Sequence, residues 1–109
     1  MTVVKDYEEI LAVIGQYADG HKFGSGHMKP AFHKNAIINA EPIQGLFDAI
    51  DEAGKTEPVI RVDILDVAGS IACARVTIEE CYGKNYIDFL QLMKTDNRWE
   101  IVSKVYQEF

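Results

Sequence analysis

Residues 86–109 read YIDFLQLMKTDNRWEIVSKVYQEF. Two runs with apolar residues at alternate positions flank Thr95, Asp96, Asn97 and Arg98, a turn signal, so the stretch reads as an antiparallel hairpin. Once the turn is placed, the side-chain period of two fixes both faces. A two-residue turn at Asp96 and Asn97 sets Leu92 against Ile101, Leu90 against Ser103 and Asp88 against Val105. One face then carries Leu90, Leu92, Trp99, Ile101 and Val105, with the carboxylate of Asp88 in their midst. The opposite face carries Ile87, Phe89, Met93, Val102 and Tyr106, interrupted by Gln91, Glu100 and Lys104.

Upstream, VIRVDILDV (59–67) and IACARVTIEEC (71–81) alternate in the same way, separated by glycine-containing turn signals. A loop of Ala68, Gly69 and Ser70 pairs Ile60, Val62 and Ile64 with Ile78, Val76 and Ala74, and Asp63 with Arg75. A loop of Gly83, Lys84 and Asn85 pairs Val76 and Ile78 with Leu92 and Leu90, and brings Glu80 opposite Asp88. A two-residue loop there brings Glu79 instead. Either acid facing Asp88 is unfavourable unless the site is wet or a proton is shared. A solvated sheet end is the plainer reading of the same residues.

The N-terminal half has the other period. Tyr7, Ile10, Leu11, Ile14, Tyr17 and Ala18 recur at helical spacing, with Thr2 as N-cap and Gly20 as the stop. A short helix is expected around Pro30 to Lys34, a short strand in AIINAEP closed by Pro42, and a third helix from Leu46 to Ala53 ended by Gly54. Helices followed by a run of hairpins define an α+β class, with helices packed into an antiparallel sheet. These helices cover one side of the sheet; the apolar second side suits another copy of the chain.

At 109 residues the chain forms one domain that buries roughly two thirds of its unfolded surface. Its net charge of −6 and scattered lysines and arginines exclude a phosphate-tracking surface, so no nucleic-acid partner is expected. No apolar run is long enough for a membrane span, and the acidic start lacks the features of a signal peptide, so the expected location is cytoplasmic. Cys73 and Cys81 on one strand are about 26 Å apart at the usual rise, beyond disulfide reach. His21, His27 and His33 lack the spacing of a zinc site. GSG at 24–26 has no strand feeding it and is no phosphate loop. Neither a metal nor a cofactor is expected.

With its helix, short second helix, strand, third helix and closing meander, the chain resembles the nuclear-transport-factor-two-like superfamily, nearest its lumazine-binding, SnoaL-like branch. QYADGHKFG (16–24), AFHKNAII (31–38) and IDFLQLMKTDNRWEIVSKVY (87–106) carry the likeness, the last most specifically. The segment between Asn39 and Pro58 is shorter than is usual there. The resemblance implies a cone of helices in a strongly curved sheet, an apolar cavity at its open end, and dimers formed through the outer sheet face. Ketosteroid isomerase belongs to the same superfamily; Tyr17 and Asp88 look like its functional tyrosine and protonated acid, and Glu41 is the nearest counterpart of its base, offset by about one residue from the matching position, where Ala40 stands.

Two functions follow. One is a small-molecule-binding domain holding an aromatic or polycyclic ligand among Tyr17, Phe32, Tyr86, Asp88 and Trp99, in a homodimer formed through Ile87, Phe89, Met93, Val102 and Tyr106. The other is an isomerase, cyclase or dehydratase in which Glu41 takes a proton while Tyr17 and a neutral Asp88 donate to the developing enolate oxygen. Each residue also has a structural reading: Tyr17 as core aromatic, Glu41 as a solvated strand end, Asp88 as an acid bonded within the fold. A dimerisation module with a filled core is the third possibility.

Overall fold

The computed structural model describes residues 3–109. Helix α1 (Val3–Phe23) is followed by the short helix α2 (Ser25–Met28), a single 3-10 turn at Lys29–Ala31, and strands β1 (Phe32–Ile38) and β2 (Glu41–Pro42). Helix α3 (Gln44–Ala53) precedes four long strands: β3 (Val59–Ala68), β4 (Ile71–Cys81), β5 (Lys84–Thr95) and β6 (Arg98–Glu108). The strands form one open six-stranded sheet in the order β2-β1-β6-β5-β4-β3. The α+β class holds, but the sheet is mixed: β1 runs parallel to β6, whereas all other pairs are antiparallel. The meander between them returns the chain to β1 in the same direction. No helix among the described residues is long and apolar enough to cross a membrane.

Ile10, Ile14 and Tyr17 of α1 are wholly buried, and the core they enter contains Val76, Ile78, Leu90, Leu92 and Ile101 of the sheet. Each large aliphatic side chain so buried contributes about 1.5–3 kcal/mol. Tyr7 and Leu11 stay partly exposed at the margin of this stripe. The expected Thr2 cap lies outside the described residues. Gly20 does not stop α1, which continues to Phe23. A Cβ at Gly20 would lie 2.4 Å from Cβ of Met28, so the residue is small to let α2 approach. The chain turns instead at Gly24, whose φ of 102° suits glycine. The helix expected near Pro30 is reduced to α2 and the 3-10 turn, and His33 stands in β1.

Every hairpin turns tightly. Tyr82 and Gly83, and likewise Asp96 and Asn97, both have positive φ, the backbone that matches strand twist in two-residue turns. The β3–β4 pairs are as the alternation predicts, with Ile60 on Ile78 and Asp63 on Arg75, although the turn is Gly69-Ser70 and the extra residue appears as an irregularity near Leu65. The β4–β5 register differs. Lys84 and Asn85 belong to β5, Glu80 is accommodated in a bulge with φ of 59°, and Asp88 faces Val76 rather than an acid. Glu79 and Glu80 are exposed.

A second bulge has the larger consequence. Leu92 pairs with Ile101 as expected, but Gln91 pairs with Ser103 and Asp88 with Tyr106. The additional residue, Val102, reverses the alternation beyond it. Lys104 thereby turns inward, Val105 turns outward, and Tyr106 leaves the outer face for the inner one.

Candidate functional site

Asp88 and Lys104 meet beneath the helices because β5 and β6 bring both to the inner face beyond the bulge, where Lys104 pairs with Leu90 and Asp88 with Tyr106. Asp88 is 1% exposed and Lys104 5%. Tyr17, from the buried stripe of α1, donates its hydroxyl to Asp88 Oδ2 at 2.5 Å. Lys104 Nζ lies 3.8 Å from the same oxygen, close enough for ionic attraction and too far for a good hydrogen bond. The ammonium also stands 4.7 Å from the centre of the Tyr17 ring and 5.2 Å from that of Tyr106. Asp88 Oδ1 is enclosed and has no partner among the described residues.

Burial, and after it the charge of Asp88, push the Tyr17 hydroxyl well above its ordinary range. It therefore stays protonated and remains a donor. Burial moves Lys104 in the opposite sense, below the usual lysine range, against the attraction of Asp88. His21 Nδ1 lies 2.9 Å from the Ala18 carbonyl. A ring nitrogen facing a carbonyl must carry the hydrogen, which leaves Nε2 as the lone-pair nitrogen of the neutral ring. Desolvation lowers the His21 pKa from 6.5 and so favours that neutral form.

Asp88, Lys104, His21 and Tyr106 border a cavity of about 390 Å³. Leu46, Ala49 and Ile50 of α3, with Ile38 and Ile78 of the sheet, make it apolar; Asp88, Lys104, His21 and Cys81 supply its polar end. Tyr86 and Tyr106 meet edge to face beside it, with ring centres 5.9 Å apart. Two local devices hold the walls. The Tyr82 hydroxyl donates to the Gly54 carbonyl at 2.5 Å, joining the β4–β5 turn to the end of α3. Asn39, in the turn after β1, accepts from Tyr106 N at 2.9 Å through Oδ1 and so holds β6 where β1 leaves it. Short as the segment after Asn39 is, it still provides a helix against the cavity.

The expected site residues are only partly brought together. Asp88 and Tyr86 line the cavity, and Glu41 reaches it from exposed β2. Tyr17 lies behind Lys104, bonded to Asp88, and is not a lining residue. Phe32 packs edge-on between Tyr17 and Phe47 in the core. Trp99 is buried at another place, where its Nε1–H donates to Asp6 Oδ1 at 3.2 Å, an oxygen that Lys94 also contacts at 3.2 Å. Trp99 thus joins α1 to the β5–β6 hairpin and lies away from the cavity. Lys104, His21, Cys81 and Tyr106 were not expected there. For Lys104 and Tyr106 the deciding feature is the bulge at Val102; for His21 it is the continuation of α1 past Gly20.

The site offers a buried carboxyl group, a buried lysine at the cavity wall and a neutral imidazole, beside apolar walls. No cluster of three or more potential metal ligands occurs among the described residues. Both cysteines are free, Cys81 buried and Cys73 partly so.

The sequence profile of the family described as "Putative lumazine-binding" matches residues 5–107. A nuclear-transport-factor-two-like protein of unknown function from Shewanella baltica is 34% identical, with 100% of this chain and 98% of that one covered and a TM-score of 0.89. A second such protein, from Methylobacillus flagellatus, is 29% identical over 97% of this chain and 94% of its own, with a TM-score of 0.87. A scytalone dehydratase-like structure from Novosphingobium aromaticivorans, at 11% identity, 97% and 85% coverage and a TM-score of 0.73, shares the fold. Among curated proteins, "Aldolase FrzH" of Cladobotryum sp. is 24% identical over 115 residues, 95% of this chain and 92% of the relative.

Proposed function

Since the chain belongs to the "Putative lumazine-binding" family of nuclear-transport-factor-two-like domains, we propose that it binds a flat, mainly apolar aromatic or polycyclic molecule in the cavity under α3, with one polar oxygen directed at Lys104. The observation that carries this reading is the cavity itself: aliphatic walls that end on a buried pair of unlike charges. Ligand sites combine a large apolar lining with few fixed polar groups in this way. Native mass spectrometry of gently purified protein, followed by thermal-shift titration with lumazine, flavin precursors and other flat heteroaromatics, tests it. A ligand of this class should raise the melting temperature, and Ala49→Trp, which fills the cavity, should remove the effect. Failure of every compound, or binding indifferent to Ala49→Trp, overturns the reading.

A catalytic variant of this function is favoured by one observation, the presence of Glu41 at the cavity. In that reading Glu41 removes a proton beside a carbonyl. Lys104 replaces a neutral Asp88 as the group nearest the developing oxygen charge, while Tyr17 orients Asp88. The aldolase name of the curated relative points to the same broad carbonyl chemistry. Glu41→Gln should abolish exchange of a bound ketone's α-hydrogens with deuterium if this holds; unchanged exchange excludes Glu41 as base.

The functional unit is proposed to be a homodimer formed through the outer sheet face, where Phe89, Met93 and Val105 are about half exposed.

A further inference from the structure

We propose that Lys104 is an imine-forming lysine, whose Nζ condenses with the carbonyl of an aldehyde or ketone carried on a flat apolar body. This rests on the binding reading above, because the carbonyl compound must first occupy the cavity. Lys104 lines that cavity with nearly all of its side chain buried. Its Nζ has no short hydrogen bond to a described residue, and Asp88, the carboxylate beside it, already receives the Tyr17 hydroxyl. Asp88 Oδ1, on the same carboxylate, is buried with no partner among the described residues. A lysine desolvated in an apolar pocket is the usual form of an imine-forming amine. Burial holds Lys104 below the ordinary lysine range and so enlarges its free-amine fraction near neutral pH.

The neighbours supply the remaining parts. Asp88, 3.8 Å from Nζ, can accept a proton from the ammonium. The nitrogen lone pair then forms the C–N bond as the carbonyl π pair moves to oxygen, which takes up a proton to give a carbinolamine. The carbinolamine oxygen takes its proton from the nitrogen, and its hydroxyl then leaves as water on receiving the proton that Asp88 returns, while the nitrogen lone pair closes the C=N bond of the protonated imine. An amine and a carbonyl thus give an imine and one water, with no oxidant or reductant. The Tyr17 and Tyr106 rings, 4.7 and 5.2 Å from Nζ, fix the amine and favour the protonated imine by the same cation–π attraction.

The test uses the intact protein at pH 7 with 2-naphthaldehyde and sodium cyanoborohydride, which reduces an imine to a stable amine. Intact mass and peptide mapping should show one principal adduct, on Lys104, formed at least about tenfold faster than at any exposed lysine, as expected of a desolvated amine that meets the carbonyl inside an apolar pocket. Ala49→Trp should slow this labelling at least about tenfold, and Lys55→Met, a change at an exposed position, should leave it intact. Lys104→Met should remove the adduct, but mapping on the wild-type chain decides the matter even if that variant does not fold. Labelling of Lys104 no faster than of Lys55 overturns the inference. Binding of the unreactive 2-methylnaphthalene, read by thermal shift, separates the failures: binding without Lys104 labelling removes the imine alone, whereas absence of both removes the binding reading with it.

Discussion

At the residue scale, Asp88 has its meaning through Tyr17 and Lys104. A buried pair of unlike charges adds little net stability compared with apolar residues of the same size, yet loss of one partner leaves an isolated buried charge. Lys104→Met should therefore cost about 3–5 kcal/mol, measured by urea unfolding, and the double change Lys104→Met with Asp88→Leu should recover more than half of that loss. A double variant as unstable as the single one would deny the pairing. His21 gives a separate test. Its folded pKa lies below 6.5, so between that folded value and 6.5 the unfolded chain holds more protons than the folded one. The stabilisation is present above pH 6.5 and is lost as pH falls through the folded value. His21→Gln should remove this dependence, at most about 1.4 kcal/mol per pH unit, and so improve relative to wild type between pH 7 and 5. Parallel acid arms of the two melting curves would refute it. The unusual position of Asp88 was legible in its apolar neighbours; its partner was not, because Lys104 sits at an outward position in the unbroken alternation.

At the element scale, what the sequence reveals is parity, and what it conceals is the bulge. Apolar alternation was sufficient to put Leu90, Leu92, Trp99 and Ile101 on one face and to pair β3 with β4, since a slip of one residue would expose the whole buried set. An even displacement has no such penalty in hydrophobic pattern. That is why the β4–β5 faces could be inferred while their pairing was shifted, placing Glu80 in front of Asp88 instead of Val76. Neither Glu79-Glu80 nor Val102-Ser103 carries a glycine to mark the irregularity. Gly20 illustrates the converse: a glycine near a helix end reads as a stop, whereas its use here is contact with Met28. Gly20→Ala improves helix propensity and should nevertheless destabilise the protein by about 1–3 kcal/mol, the usual cost of overpacking. A higher melting temperature for this variant would show that α2 moves aside freely.

At the scale of the whole molecule, one side of the sheet is occupied by helices and the other carries Leu65, Ile71, Phe89, Met93 and Val105, each 46–57% exposed. Ile71 pairs with Met93 and Phe89 with Val105, so these apolar side chains adjoin across strands. A second copy would cover them symmetrically, and a stable interface of this kind buries more than about 1,200 Å² in total. The exchange of Tyr106 for Val105 by the bulge preserves this outer face while giving the cavity an aromatic side chain. Sedimentation should therefore find wild-type dimers at tens of micromolar, on the order of the affinity such interfaces attain. Phe89→Glu should yield monomers, because dimerisation would bury an unpaired carboxylate at the centre of the patch. The substituted side chain is largely exposed in the single chain, so the monomer should keep its fold, and its melting temperature should lose any dependence on protein concentration. A wild-type monomer at those concentrations would exclude this interface, and a Phe89→Glu dimer would move it to another surface.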